Sequence, residues 1–389
     1  MPENPFKIKH IPALFITVFL FTEISLRILQ PTSLHFYWQQ KQIHKYDEDY
    51  FVDLEADQKR NITHFLNYYT MNISTNEAGF RGTRRLDHSP KIGCIGDSVT
   101  MGFGVNDEDT FCSQIDKTTV NGTTYQSVNL GVDAYGPAAI QKKLEKYLPL
   151  MDMKLLYYFP SGGDDLDDYL YRERKQNNLQ NMAFKTQFYL TKYSYVFLAL
   201  KITQEQLKYR FIETFVWPAE KLKRTLECQN DCRDIYRPGF KSLAEDFFIP
   251  DKPADNLLTF PEGECTDKTE PYFIPDDTLR AVKDIISLTK KHNVKLVFVF
   301  TPTDLETAYC SQRGRTHRLY SYNTSLKKFV MQQGHDWLDL SAYTDRMKDD
   351  KGRLNARPYY IIGDGHYTPA GNKWVAEILA EHTERFLKK

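Results

Sequence analysis

KIGCIGDSVTMGFGV, residues 91–105, begins as a short apolar run and turns at once into glycines around a serine. Lys91 to Ile95 has the length and apolar character of a strand buried on both faces. Glycines 96, 102 and 104 let the backbone turn tightly and come close to a ligand. Ser98 then stands where strand passes into helix. A backbone N–H there has no helical partner, and the helix dipole favours negative charge. Such a serine is either the N-cap of a helix or a nucleophile, and the rest of the chain has to decide which.

Further apolar runs follow it: QSVNLGV, KLLYYF, VKLVFVF and DWLDLS, with helical patterns between most of them. Two helices are legible in detail. PDDTLRAVKDIISLTKKHN has acids in its first turn and KKH at its end, as the dipole prefers, with Leu279, Val282, Ile285 and Ile286 on one face. TPAGNKWVAEILAEHTERFL opens with Thr368 as N-cap and Pro369 at the first helical position. Trp374, Val375, Ile378, Leu379 and Phe386 make its stripe. Strands alternating with helices predict an α/β fold, a mostly parallel sheet between helical layers. Ligands of such sheets sit at the carboxyl ends of the strands, where Ser98 falls.

The composition is that of a packed protein, 41% hydrophobic and 14% aromatic. Lys plus Arg and Asp plus Glu each total 51, so the formal charge is zero. No broad basic face is available to track phosphates, which argues against nucleic acid as a partner. Ile11 to Phe21 carries no charge, and TEISLRIL extends the run to Leu29, near the length needed to span a bilayer. Glu23 and Arg27, four apart, share a helical face and can pair. Lys7 and Lys9 precede the run, which predicts a cytoplasmic N-terminus and an extracytoplasmic, periplasmic remainder. No small-residue cleavage site follows, so an uncleaved anchor is favoured over a removed signal. Cysteines 94, 112, 228, 232, 265 and 310 are free to pair in an exported domain, in an order the sequence does not choose. Cys94, inside the first strand, reads as a small buried hydrophobe rather than a reactive thiol.

Near the C-terminus stands GDGHYTPAGN, with Asp364 and His366 just before the last helix. A serine hydroxyl needs a base to take its proton, and a histidine needs a carboxylate to fix its tautomer. Two further glycine sites lie at strand ends, NLGVDAYG with Gly131 and PSGGDDLDD with Asp164. An acyl-transfer site needs donors aimed at a developing oxyanion, and a glycine N–H in an open loop is a good one.

With these four blocks in order, GDSVTMGFGV, NLGVDAYG, GGDDLDD and DGHYTPAGN, the chain resembles the SGNH, or GDSL-type, hydrolases. The upstream NEAGFRG and the anchor ending EISLR are similar to membrane-anchored bacterial members. The resemblance covers roughly residues 70–168 and 276–388. It implies a flavodoxin-like three-layer α/β/α sandwich around a parallel sheet of about five strands. It further implies Ser98 as nucleophile, His366 as base, Asp364 as orienting acid, and no metal or cofactor. The N–H groups of Ser98 and Gly131 would serve as oxyanion donors. The substrate expected is a small-molecule, glycan or lipid ester, such as an O-acyl group of the cell envelope.

Two features depart from that pattern. Asp164 stands where the family carries asparagine as the third oxyanion donor, and an ionised carboxylate only accepts hydrogen bonds. One residue separates Asp364 from His366 where many members have two. The alternative expectation is therefore a non-catalytic envelope binding or assembly protein on the same scaffold. Along the chain the reading divides into an anchor at 1–30, a membrane-proximal extension at 31–90 and the first part of the core at 91–168. A largely helical insertion at 169–275, an elaboration or a cap that shapes the pocket, precedes the second part of the core at 276–389.

Overall fold

The structure is a computed structural model, which describes residues 11–161, 178–211, 265–266, 274–302, 310–311, 314–317, 321–352, 354–361 and 365–388. Asp164, Asp364, Cys228, Cys232 and the larger part of the 169–275 insertion lie outside the described residues. The chain forms two compact units. One gathers residues 1–44 and 179–237, the other residues 45–178 and 238–389. The first half of the insertion thus groups with the N-terminal helix, and the extension from Lys45 onward groups with the core.

The larger unit is built on a five-stranded parallel sheet, and its strands are the five apolar runs of the sequence. These are β1 (Lys91–Gly96), β2 (Gln126–Asn129), β3 (Met153–Phe159), β4 (Lys295–Phe300) and β5 (Asp336–Asp339). Their spatial order is β5-β4-β3-β1-β2, and every neighbouring pair is parallel. β1 therefore sends its chain to one side of the sheet, while β3 sends its own to the other. That reversal opens a crevice beyond the carboxyl ends of β1 and β3, the place where doubly wound sheets bind ligands.

Side chains alternate across the sheet. Ile92 and Cys94 of β1, Leu155, Tyr157 and Phe159 of β3, Val297 and Val299 of β4, and Leu338 of β5 share one buried cluster. The helix Pro369–Leu387 covers that face with Trp374, Val375, Ile378, Leu379 and Phe386, the stripe read from the sequence. Thr368 caps the helix by accepting from the Gly371 N–H at 3.3 Å, and Pro369 occupies its first turn. Ile95, Leu156, Tyr158, Leu296 and Phe298 point the opposite way and are equally buried. On that side the helices Pro137–Tyr147 and Asp276–Lys291 pack on one another. Asp276–Lys291 keeps its acidic first turn and basic last turn, but its buried face is centred on Ala281, Val282 and Ile285. Leu279 and Ile286 are only half-buried, because Thr278 and Thr289 share that face. Thr289 can do so since its hydroxyl donates to the Ile285 carbonyl at 3.0 Å.

A buried ion pair ties the extension to the core. Lys143, on the helix Pro137–Tyr147, meets Asp53, on the strand Phe51–Leu54, at 2.7 Å with both side chains fully buried. Asp53 also accepts from the Tyr50 hydroxyl at 3.0 Å and the Leu54 N–H at 2.8 Å. The Lys143 ammonium lies over the rings of Phe80 and Tyr135. Burial alone would push the Asp53 carboxyl up. The Lys143 charge and the hydrogen bonds outweigh it and hold the carboxyl below the usual carboxylate range. Its contribution is therefore present at neutral pH and is lost as pH falls through that depressed value.

Removing one partner leaves the other charge buried and uncompensated. Asp53→Ala is expected to cost about 3–5 kcal/mol in urea unfolding. Asp53→Leu combined with Lys143→Met should recover most of that loss. A single variant as stable as the parent would remove the pair from the list of what holds residues 45–90 to the sheet.

Candidate active site

β1 ends at Gly96, and the next residue begins the site. The Asp97 carboxylate accepts from the Val99 N–H at 2.9 Å and so caps a single helical turn, Ser98–Met101. The turn stops at Gly102, whose φ of 81° is the left-handed conformation that glycine adopts without strain. Ser98 is thus carried at the carboxyl end of β1, in the crevice between β1 and β3.

His366 arrives from the other end of the chain. It sits on a reversal in which Tyr360 and Tyr367 bridge antiparallel, and the Ile361 N–H donates to the His366 carbonyl at 2.8 Å. Both tyrosine hydroxyls donate to one acceptor, the carbonyl of Pro302 just past β4, that of Tyr360 at 2.8 Å. Asn372 completes the fixing: its Oδ1 accepts from the Phe111 N–H at 3.0 Å while its Nδ2 donates to the Thr368 carbonyl at 3.1 Å. The result is a distance of 2.8 Å between His366 Nε2 and Ser98 Oγ, across 268 positions of sequence. That is a hydrogen bond of the length a base needs to take a hydroxyl proton.

The surroundings add a buried acid. Burial pushes the Asp97 carboxyl above the usual range, while the nearby His366 imidazole, the Ser161 hydroxyl and the Val99 N–H pull against that rise. The Phe103 ring lies 5.2 Å from the imidazole, and Tyr69 packs edge-on to Phe103 at 5.8 Å. Beside them opens a cleft of about 400 Å³, walled by Tyr68, Tyr69, Gly104, Tyr360, Ile361 and Pro369. Its lining is aromatic and apolar, suited to a neutral organic group.

Of the residues expected at the site, the structure brings Ser98 and His366 into contact. Asp364 and Asp164 lie outside the described residues. Gly131 follows β2 and is pressed against the turn that carries Ser98: a Cβ there would fall 2.8 Å from the Thr100 carbonyl carbon and closer still to the Met101 nitrogen. No larger residue fits. Its N–H, expected to face an oxyanion, donates instead to Asn129 Oδ1 at 3.0 Å. Asn129 is itself buried and donates to the Thr100 carbonyl at 2.9 Å, so it latches the same turn.

Two supports carry little signal in the sequence. Arg81, of NEAGFRG, is wholly buried, with Nε on Asp107 at 2.6 Å, Nη2 on the Val105 carbonyl at 2.7 Å and Nη1 on the Gly102 carbonyl at 3.3 Å. It gathers the carbonyls of the loop that follows Ser98, a use of the planar guanidinium that lysine would not reproduce. The only sequence signal was a charge set between apolar and glycine residues. The second support is a disulfide from Cys94 to Cys112, with 6.1 Å between their Cα atoms. Cys94 is buried as expected, but as half of a bridge rather than as a lone hydrophobe. The loop it closes contains Ser98, Gly102 and Gly104.

Replacing both cysteines by alanine is expected to lower stability by about 3 kcal/mol in guanidinium unfolding, the size set by a loop of this length. Unchanged midpoints would show that the bridge does not restrain the unfolded chain. No protein-family model and no curated protein matches the sequence, so the contact between Ser98 and His366 and its surroundings carry the functional reading.

Proposed function

We propose that the protein is a membrane-anchored serine acyl hydrolase of the SGNH type, acting on an ester outside the cytoplasm. The observation that carries the reading is the 2.8 Å contact between Ser98 Oγ and His366 Nε2 at the carboxyl edge of a parallel sheet. Ser98 Oγ attacks the ester carbonyl while His366 Nε2 takes its proton. The tetrahedral intermediate collapses as His366 returns the proton to the departing alcohol, leaving the acyl group on Ser98. Water, or a sugar hydroxyl in a transferase, then attacks that acyl group by the same route in reverse. Asp364 orients the imidazole, the Ser98 N–H faces the oxyanion, and the aromatic cleft beside Phe103 receives the substrate. No cofactor is required by this chemistry.

Location outside the cytoplasm is supported by three features. The helix Ile11–Leu29 is long and apolar enough to cross a bilayer. Lys7 and Lys9 precede it. The Cys94–Cys112 disulfide belongs to an oxidising compartment. Substrates consistent with that location are O-acyl groups of envelope glycans or lipids.

A second reading is favoured by the commitment of the Gly131 N–H to Asn129, together with an acid at position 164. Both weaken an oxyanion hole, and a protein without one binds its ester and does not turn it over. Labelling by a fluorophosphonate probe separates the two: the parent should be labelled, Ser98→Ala should not, and His366→Ala should react on the order of 10²–10⁴-fold more slowly. Equal labelling of parent and Ser98→Ala would defeat the hydrolase reading. Asp164→Asn should raise ester turnover if a missing donor limits it, and the lack of one such donor costs on the order of 10²–10³.

A further inference from the structure

The smaller unit holds an apolar surface that the acyl-transfer reading does not use. It consists of the helix Ile11–Leu29, the helix Thr32–Gln42, and a hairpin of two helices, Asn178–Tyr193 and Tyr195–Phe211, separated by Ser194 alone. The hairpin tip is docked on the charged pair of the N-terminal helix. Glu23 accepts from the Ser194 hydroxyl at 2.7 Å and from the N–H groups of Tyr195 and Val196 at 3.1 and 3.0 Å, so it caps the second hairpin helix. Arg27 bonds Glu23 at 2.8 Å and the Tyr193 carbonyl at 2.6 Å, and lies over the Tyr195 ring. Phe19 packs on Phe197 at 5.7 Å. Leu34, Tyr195 and Leu198 form a small core, with Leu26, Trp38 and Ile202 around it.

That core uses one face of Tyr195–Phe211 and leaves the other outside. Leu200, Leu207 and Phe211 recur at helical spacing on the outer face, and Leu200 is 60% exposed. Leu179, Met182 and Leu190 form a matching stripe on Asn178–Tyr193, with Met182 61% exposed. Between the stripes runs a groove of about 440 Å³, lined by Met182, Leu190, Phe197 and Leu200. The hairpin sequence carries Lys185, Lys201, Lys208 and Arg210 against the single acid Glu205, while its remaining cation, Lys192, is buried on the His44 carbonyl at 2.6 Å. Tyr189 and Tyr193, both exposed, stack near its docked end, a residue type that gathers at a membrane–water boundary. Glu23 lies six residues before Leu29, about 9 Å along the helix axis, the depth to which an interfacial helix buries its apolar face.

The geometry points to the hairpin Asn178–Phe211 as a second membrane contact. Its apolar stripes lie in the leaflet reached by the carboxyl end of Ile11–Leu29, lipid acyl chains fill the groove between them, and its exposed basic residues meet anionic headgroups. This rests on the reading of Ile11–Leu29 as a membrane span and adds a monotopic seat to it. Glu23 and Arg27 then serve as the socket for that seat.

The test uses the full chain in vesicles of phosphatidylethanolamine and phosphatidylglycerol, with acyl chains either brominated or plain. Tryptophan is introduced in turn by Leu200→Trp, Leu207→Trp, Met182→Trp and Phe15→Trp, the last in the span itself. Emission beyond that of the parent should be blue-shifted at each hairpin position and lost in brominated vesicles, as it is for Phe15→Trp. Quenching of Phe15→Trp with none at the three hairpin positions would overturn the proposal and leave the anchor standing. The proposal also fails if the hairpin positions are unquenched and the purified chain self-associates in detergent through those stripes, which would assign them to a second copy. Absence of quenching at all four positions would remove the anchor reading as well.

Discussion

The hydrogen bond between Ser98 and His366 depends on how far apart parallel strands can be. Gly96 of β1 is level with Phe159 of β3, and Tyr158 of β3 with Phe298 of β4, so the carboxyl ends of the three strands align. Neighbouring strands lie about 4.8 Å apart, which puts β1 and β4 roughly 10 Å from one another. Ser98 continues from β1, and the reversal bearing His366 is tethered to Pro302, just past β4. The gap is then the combined reach of a short hydroxyl and an imidazole. A strand added or removed between β1 and β4 would break the contact, however well each loop were formed.

Around that bond the molecule invests buried polar groups as well as the aromatic rings beside the imidazole. Arg81, Asn129 and Asn372 are all buried, and each bonds backbone groups of the loops and short helical turns beyond the strand ends. Loops at strand ends are where function sits, and they are also where backbone groups most lack partners. The three residues supply those partners from the side. The cost of burying them is offset only because nearly every bond they can make is made.

The sheet was legible because buried parallel strands are short runs of apolar residues, and all five were visible as such. The stripe of Pro369–Leu387 was legible for the same reason, since one face of a helix repeats regularly. Ser98 and His366, 268 positions apart, were legible through the glycine-rich blocks that carry them; what escaped were long-range partners that no motif marks. Asp53 and Lys143 are ninety residues apart and meet in the interior, with no motif in the sequence to pair them. Cys94 gave no hint of Cys112 beyond an even number of cysteines. The buried face of Asp276–Lys291 was misplaced by one position because threonines took core places that their hydroxyls made acceptable. The alliance of the hairpin with the N-terminal helix had no signal either, because Glu23 and Arg27 read as partners for each other.

The socket at Glu23 has a consequence in time. During synthesis the apolar helix emerges well before the hairpin, whose Ser194 follows Glu23 by 171 residues. At ribosomal speed that interval is roughly ten to thirty seconds. Through it the carboxylate has one strong companion, the guanidinium one helical turn later. Glu23 and Arg27 thus do successive jobs: first each neutralises the other within the helix, and afterwards both receive a late-arriving part of the same chain.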